Sequence, residues 1–202
     1  MKKSLASLLI SAGLILCLTS CVETIVVGTI AGSQLALRNK DFKDTKSDLN
    51  ITSKILKEFS LSGLKNPGNA IDVMVNEQRV LLSGIVSDPA LAKEAVDLAW
   101  KVEGVKEVID EVQIAKNGSN FNGFKTYAKD AAITSQIESR GFFTKNISLV
   151  DVKVNTVNSV VYLLGVAKNE REIEKITNFI ARIKGVEKVV SHIITADDDR
   201  RV

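Results

Sequence analysis

Residues 80–114, VLLSGIVSDPALAKEAVDLAWKVEGVKEVIDEVQI, recur in diverged form at 161–195, VYLLGVAKNEREIEKITNFIARIKGVEKVVSHIIT. Six of the 35 aligned positions are identical, among them Gly84 with Gly165 and Gly104-Val105 with Gly185-Val186. Residue classes agree better than identities do. Ala92, Ala95, Leu98, Ala99 and Val102 align with Ile173, Ile176, Phe179, Ile180 and Ile183, a spacing that lines one face of a helix. Asp88 and Asn169 stand at the two helix starts as N-cap side chains, and Pro89 suits a first helical position. Gly104 and Gly185 suit the left-handed residue that ends a helix. Each copy therefore reads strand, glycine, helix, Gly-Val, strand.

Working outward extends the unit. Ser47 or Asp48 offers a cap, and Ile51, Ile55 and Phe59 form an apolar stripe, so residues 48–60 are expected to be helical. Leu61 to Gly68 carries turn chemistry. Ile71, Val73 and Val75 alternate, and Val80 to Val86 follows after Asn76-Glu-Gln-Arg79, which predicts a hairpin with a four-residue loop. In the second copy Ile133 and Ile137 line a helix over about 130–140. Val150, Val152 and Val154 alternate, residues 155–159 turn, and Val160 to Val166 returns. Helix 169–184 and strand 186–195 complete it. The expectation is an α+β fold of two tandem α-β-β-α-β units, each a three-stranded mixed sheet packed on two helices. The spans are 48–114 and 129–195, with a linker at 115–128 and a charged, mobile tail at 196–202. Trp100 aligns with Ala181, off the apolar stripe, and reads as a contact between the units or as edge packing.

Met1-Lys-Lys3 followed by the apolar run Leu5 to Leu18 has the form of an export leader and is too short for a membrane span. Leu18-Thr-Ser-Cys21 resembles the lipobox of bacterial lipoproteins. That resemblance implies cleavage after residue 20, a diacylglycerol thioether on Cys21 and an acylated amino terminus, so that the membrane is a partner through Cys21. Val22, where an Asp would resemble an inner-membrane retention signal, favours the outer membrane. Cys17 leaves with the leader, and with Cys21 blocked no thiol remains for redox chemistry. Residues 22–37 are apolar but short of a span, and read either as a segment lying against the membrane or as one that packs on the folded domains or serves as a spacer; 21–47 is a lipidated linker. Formal charge is +3 for the whole chain and +1 without Lys2 and Lys3, which is no footprint for a nucleic-acid binder.

The doubled order of Val-Leu-Leu-Ser-Gly84 and Val-Tyr-Leu-Leu-Gly165, the Gly-Val pairs with Val-rich strands, Lys129-Asp-Ala-Ala-Ile-Thr134 and Val152-Lys-Val-Asn155 resemble the BON domain (bacterial OsmY and nodulation). With the lipobox, the chain is similar to the dual BON-domain outer-membrane lipoproteins of the DolP type over about residues 21–195. The resemblance implies a periplasm-facing, non-enzymatic protein that supports envelope integrity and binds anionic phospholipid through its second BON domain. It names no cofactor.

The residues themselves show no catalytic constellation. His192 is the sole histidine and stands in a strand, Gly28 to Gly32 lacks the lysine of a phosphate loop, and Asp197 to Asp199 reads as a solvated tail. Glu170, Glu172 and Glu174 with Arg171 and Lys175 read as an ordinary solvated helix face. No metal site is expected. Five of the ten aromatics (Phe121, Phe124, Tyr127, Phe142, Phe143) fall within 23 residues. Lys125, Lys129, Arg140 and Lys145 are interleaved with them against Asp130 and Glu138. Rings with a cationic fringe suit a bilayer headgroup layer. Lys125, Tyr127, Lys129, Arg140, Phe142, Phe143 and Lys145 are thus the candidate lipid-binding residues. Against this, Phe142 and Phe143 could plug the helix onto the sheet, and Ala131-Ala132 leaves no bulky ring at that point of the helix. An adaptor that binds only envelope protein partners is the alternative.

Overall fold

The run Arg79–Val86 is buried along almost its whole length, and so is its repeat, Val160–Ala167. A strand with no solvated face must be covered twice, and the architecture supplies both covers. The computed structural model describes residues 42–64, 69–115, 123–145 and 147–201, with the side chains at 42–45, 123–125 and 142–143 outside that description. The leader, Cys21, residues 22–37 and Phe121 lie outside the described residues. The elements are α1 (Phe42–Leu61), β1 (Ala70–Asn76), β2 (Arg79–Val86), α2 (Pro89–Trp100) and β3 (Glu107–Ile114), then α3 (Gly123–Phe143), β4 (Val152–Val157), β5 (Val160–Ala167), α4 (Glu170–Ala181) and β6 (Lys188–Thr195). No described helix is long and apolar enough to cross a membrane.

Both sheets are mixed, in the orders β1-β2-β3 and β4-β5-β6. The hairpin strands are antiparallel, and the strands joined through α2 and α4 are parallel. The cap chemistry is as expected. Asp88 Oδ1 accepts from Ala90 N at 2.8 Å, and Asn169 Oδ1 accepts from Glu172 N at 3.1 Å. Glu172 in turn accepts from Lys168 N, one residue before the cap, a near relative of the capping box. Gly104 and Gly185 have positive φ, +95° and +98°. At Gly84 and Gly165 a Cβ would lie 1.9 and 2.2 Å from the carbonyl oxygens of Ala70 and Asp151, so no side chain fits there.

Two expectations are corrected by one device. The helices begin at Phe42 and Gly123, well before 48 and 130, so α3 occupies part of the expected 115–128 linker. The hairpin loops shrink to two residues each, Glu77-Gln78 and Asn158-Ser159, because β1 runs to Asn76 and β2 starts at Arg79, with β4 and β5 alike. All four turn residues have positive φ, between +49° and +64°, the tight-turn backbone that follows strand twist but normally calls for Gly or Asn. Asp48 and Asp130 are buried inside their helices and do not cap them. The Asp48 carboxylate accepts Glu77 N at 3.0 Å and Gln78 N at 2.9 Å. The Asp130 carboxylate accepts Asn158 N at 2.8 Å and Ser159 N at 2.9 Å. Each helix thereby holds its own hairpin turn.

On one face of each sheet the helices bury an aliphatic core. Ile51, Ile55 and Phe59 meet Val75, Val80, Leu82, Ala95 and Ala99 in the first unit. Ile133 and Ile137 meet Val161, Leu163, Ile176 and Ile180 in the second. The other faces of the two sheets pack on each other. Met74, Leu81, Val157, Tyr162 and Leu164 form the centre of that contact, with Ile85, Ile109, Val160 and Val190 around them. Burial pushes the Tyr162 phenol above its ordinary pKa, against the opposing effect of its bond to Gln113. A polar rim surrounds the centre. Asn155 Nδ2 donates to Asp72 at 3.0 Å and to Ser83 at 2.9 Å, and Gln113 Nε2 donates to the Tyr162 hydroxyl at 3.1 Å. His192 Nε2 and Glu111 Oε1 are 2.9 Å apart, and the buried Arg79 donates to the His192 carbonyl at 3.1 Å. Trp100 is not among these residues. It is half-exposed at the end of α2, on the helix-bearing side of its sheet, so the contact between units runs through the sheet faces.

The tail also docks on the first unit, where a mobile tail was expected. Arg201 forks onto the buried Glu77 carboxylate of the first unit, with Nε and Nη2 at 2.9 and 2.8 Å. A bidentate pair on a buried acid is stronger than a surface pair, and losing one member strands the other.

Two stability outcomes follow from these contacts. Asp130→Ala leaves two turn N–H groups without their charged acceptor and is expected to lower unfolding stability by about 2–4 kcal/mol in chemical denaturation. Arg201→Ala is expected to cost about 1–3 kcal/mol, with part regained when Glu77→Gln is added. An unchanged denaturation midpoint in either case would contradict the role given to that residue.

Candidate lipid-facing groove

The second unit carries an open groove of about 970 Å³ between the end of α3 and the outer side of α4. Its geometry starts from α4. Ile173, Ile176, Ile180 and Ile183 turn inward to the sheet, which leaves Arg171, Lys175, Asn178 and Arg182, at spacings of four, three and four, along the outer face. Arg140 and Lys145 approach from α3 and the residues after it. The floor is apolar: Ile147, Phe179 and Ile183. Gly141 is buried at the same end of α3, where a Cβ would lie 2.4 Å from Leu149 Cδ1 and 3.8 Å from the Phe179 ring. A bare residue there lets α3 close down beside Phe179 and bring Arg140 to the rim.

Five cations face one carboxylate, Glu174, in this groove. Among the described residues none of the five is held in an ion pair. Like charges gathered on one surface repel, and that repulsion is relieved by an anionic ligand. Three of the five are arginines, whose planar forks match phosphate oxygens in pairs. The same place in the first unit is different. Glu58 stands for Arg140, Ala90 for Arg171, Glu94 for Lys175, Asp97 for Asn178 and Lys101 for Arg182. There Lys93 and Asp97 pair with each other at 2.9 Å. One repeat is a cationic groove, and the other a self-neutralised helix face.

Of the residues singled out in the sequence, Arg140 and Lys145 meet in the groove. Lys129 lies three turns back along α3 and rests 3.5 Å from Glu187. Tyr127 is highly exposed, and the 13 residues separating it from Arg140 place it on a different side of the helix. The helix includes Phe124, Lys125, Phe142 and Phe143, but their side chains lie outside the described residues, as does Cys21. Arg171, Lys175 and Arg182 are the groove residues the sequence reading passed over. Alternating acids and bases on α4 concealed them. Setting the charges of the two repeats side by side was the signal that could have found them. Among the described residues no group of three His, Cys, Asp or Glu side chains could hold a metal.

Comparison with known proteins agrees with the doubled architecture. An uncharacterised protein of the gshII 5′ region of Anaplasma centrale is 36% identical over 146 residues, 72% of this chain and 93% of that protein. The osmotically-inducible protein Y of Escherichia coli K12 is 34% identical over 127 residues, 62% of this chain and 61% of that protein. The outer membrane lipoprotein DolP of Haemophilus influenzae is 26% identical over 186 residues, 92% of this chain and 94% of that protein. The BON domain model matches residues 47–116 and again 129–197. The chain belongs to the BON domain family and carries two copies of the domain, in the manner of DolP and the osmotically-inducible protein Y.

Proposed function

We propose that this protein is a periplasm-facing envelope protein, anchored by lipid at Cys21 in the outer membrane, that binds anionic phospholipid through its second BON domain and so supports membrane integrity without catalysing a reaction. The groove carries the reading: a net excess of four positive charges above an apolar floor, present in one repeat and absent from the other. Cations near a bilayer gain from anionic headgroups, and apolar groups beneath them gain from the acyl boundary. The lipobox-like Leu18 to Cys21, the valine after it and the likeness to an outer membrane lipoprotein along most of the chain support the location. An anchored protein needs little intrinsic affinity, because tethering raises the local concentration of the second contact.

A second reading has its own observation. Leu61 and Trp100 are exposed at the ends of α1 and α2, on the unit without the groove. Exposed aromatic and aliphatic side chains suit a protein partner, in which case the chain would be an adaptor for envelope proteins.

Sedimentation with liposomes separates the two, using the mature chain with Cys21→Ser so that no acyl anchor contributes. Binding is expected to rise with anionic lipid content, to weaken with salt, and to fall about tenfold for Arg140→Glu or Arg171→Glu, each a reversal of charge at the groove. Lys101→Glu in the first unit is expected to change little. Absence of binding at every lipid composition would sink the lipid reading and leave the adaptor.

A further inference from the structure

The groove is longer than a single phosphate needs. Arg171 and Lys175 are one turn apart on α4, and Arg182 lies two turns beyond, so the cationic face extends about 16 Å along the helix axis. The end of α3 closes beside Phe179, between the turns of Lys175 and Arg182, and Arg140 and Lys145 line the groove from that side. Along that axis Arg171 with Lys175 forms one group and Arg182 the other, and Arg140 and Lys145 add to them from α3 and the residues after it. Glu174 is the single acid among them. One phosphate can engage one group and leaves the other uncompensated; two phosphates engage both.

We infer, building on the lipid reading above, that the groove takes two phosphate groups at once and prefers a lipid whose headgroup carries two phosphates over lipids that carry one. The arginine forks set the phosphate chemistry, the axial separation of the two groups sets the number, and the partly buried Ile147 and Phe179 commit the site to a headgroup attached to acyl chains. The first repeat cannot do the same, because Glu58, Glu94 and Asp97 occupy its version of the site.

The test uses the mature chain with Cys21→Ser and phosphatidylcholine vesicles of equal total phosphate charge, containing either cardiolipin or phosphatidylglycerol as the anionic component. Cardiolipin vesicles are expected to bind about fivefold more tightly. That preference should vanish in Arg171→Gln/Lys175→Gln, and equally in Arg140→Gln/Lys145→Gln, while circular dichroism and the thermal midpoint stay unchanged. Equal binding of the two vesicle types by the unaltered protein overturns the two-phosphate inference and leaves the lipid reading standing. Loss of preference in only one double variant overturns it as well, since a single group would then suffice. Failure to bind either vesicle removes the lipid reading itself. Inorganic pyrophosphate is expected to compete poorly; displacement of the protein at concentrations matched to vesicle phosphate would assign the groove to free anions and overturn the lipid commitment.

Discussion

The structure depends on the packing of two sheet faces against each other. Each three-stranded sheet has two apolar faces and only two helices to cover one of them. A small mixed sheet with an open apolar face is a poor independent fold. Here Leu81 and Met74 on one side and Tyr162, Leu164 and Val157 on the other close the second faces mutually. The polar rim then fixes the relative position, because Asn155 with Asp72 and Ser83, and Arg79 with the His192 carbonyl, are directional where apolar contact is not. All four helices are left on the outside. That arrangement leaves the α3–α4 groove open to the surroundings.

Duplication supplied the scaffold, and divergence at the outer helix faces supplied the difference between the units. The inward positions stay interchangeable: Ala95 against Ile176, Ala99 against Ile180, Ile55 against Ile137. The turn clamp is kept whole, with Asp48 and Asp130 doing the same work on chemically different turns. Charge on the outer face costs little in stability either way, so that face was free to diverge while the core was not. A cationic groove on one repeat and paired charges on the other is the outcome.

Much of the fold was legible in the sequence, since it rests on local signals. The 3.6-residue stripes gave α2 and α4, Asp88 and Asn169 gave their caps, and the repeat itself gave the doubling. What was not legible depended on distant partners. Asp48 looked like a cap because an acid before an apolar stripe usually is one; its true acceptor role is to a turn 29 residues away. The two-residue turns were hidden because Glu77, Gln78 and Ser159 are unusual at positive φ and need that acid. The sheet-to-sheet contact did leave a trace: β5 is a continuous apolar run and β2 is one apart from Arg79 and Ser83, whereas β1 and β4 alternate or carry polar residues. The charged tail looked solvated because its docking site, Glu77, lies more than a hundred residues earlier. At the candidate site, Arg140 and Lys145 were found by their aromatic neighbourhood, but the α4 contribution required knowing that the end of α3 comes up to Phe179 on α4.

The central claim is that the second unit meets the membrane through its α3–α4 groove while the two sheets remain locked. Hydrogen exchange of the unanchored mature chain, with and without anionic vesicles, tests it most directly. Added protection is predicted in residues 139–145 and 171–183, with no change in 58–63 or 90–102 and none in β2 or β5. Equal protection of both units' helices, or loss of protection along β2 and β5, would contradict the account, because lipid would then be met by a surface common to both repeats or by sheets that have come apart.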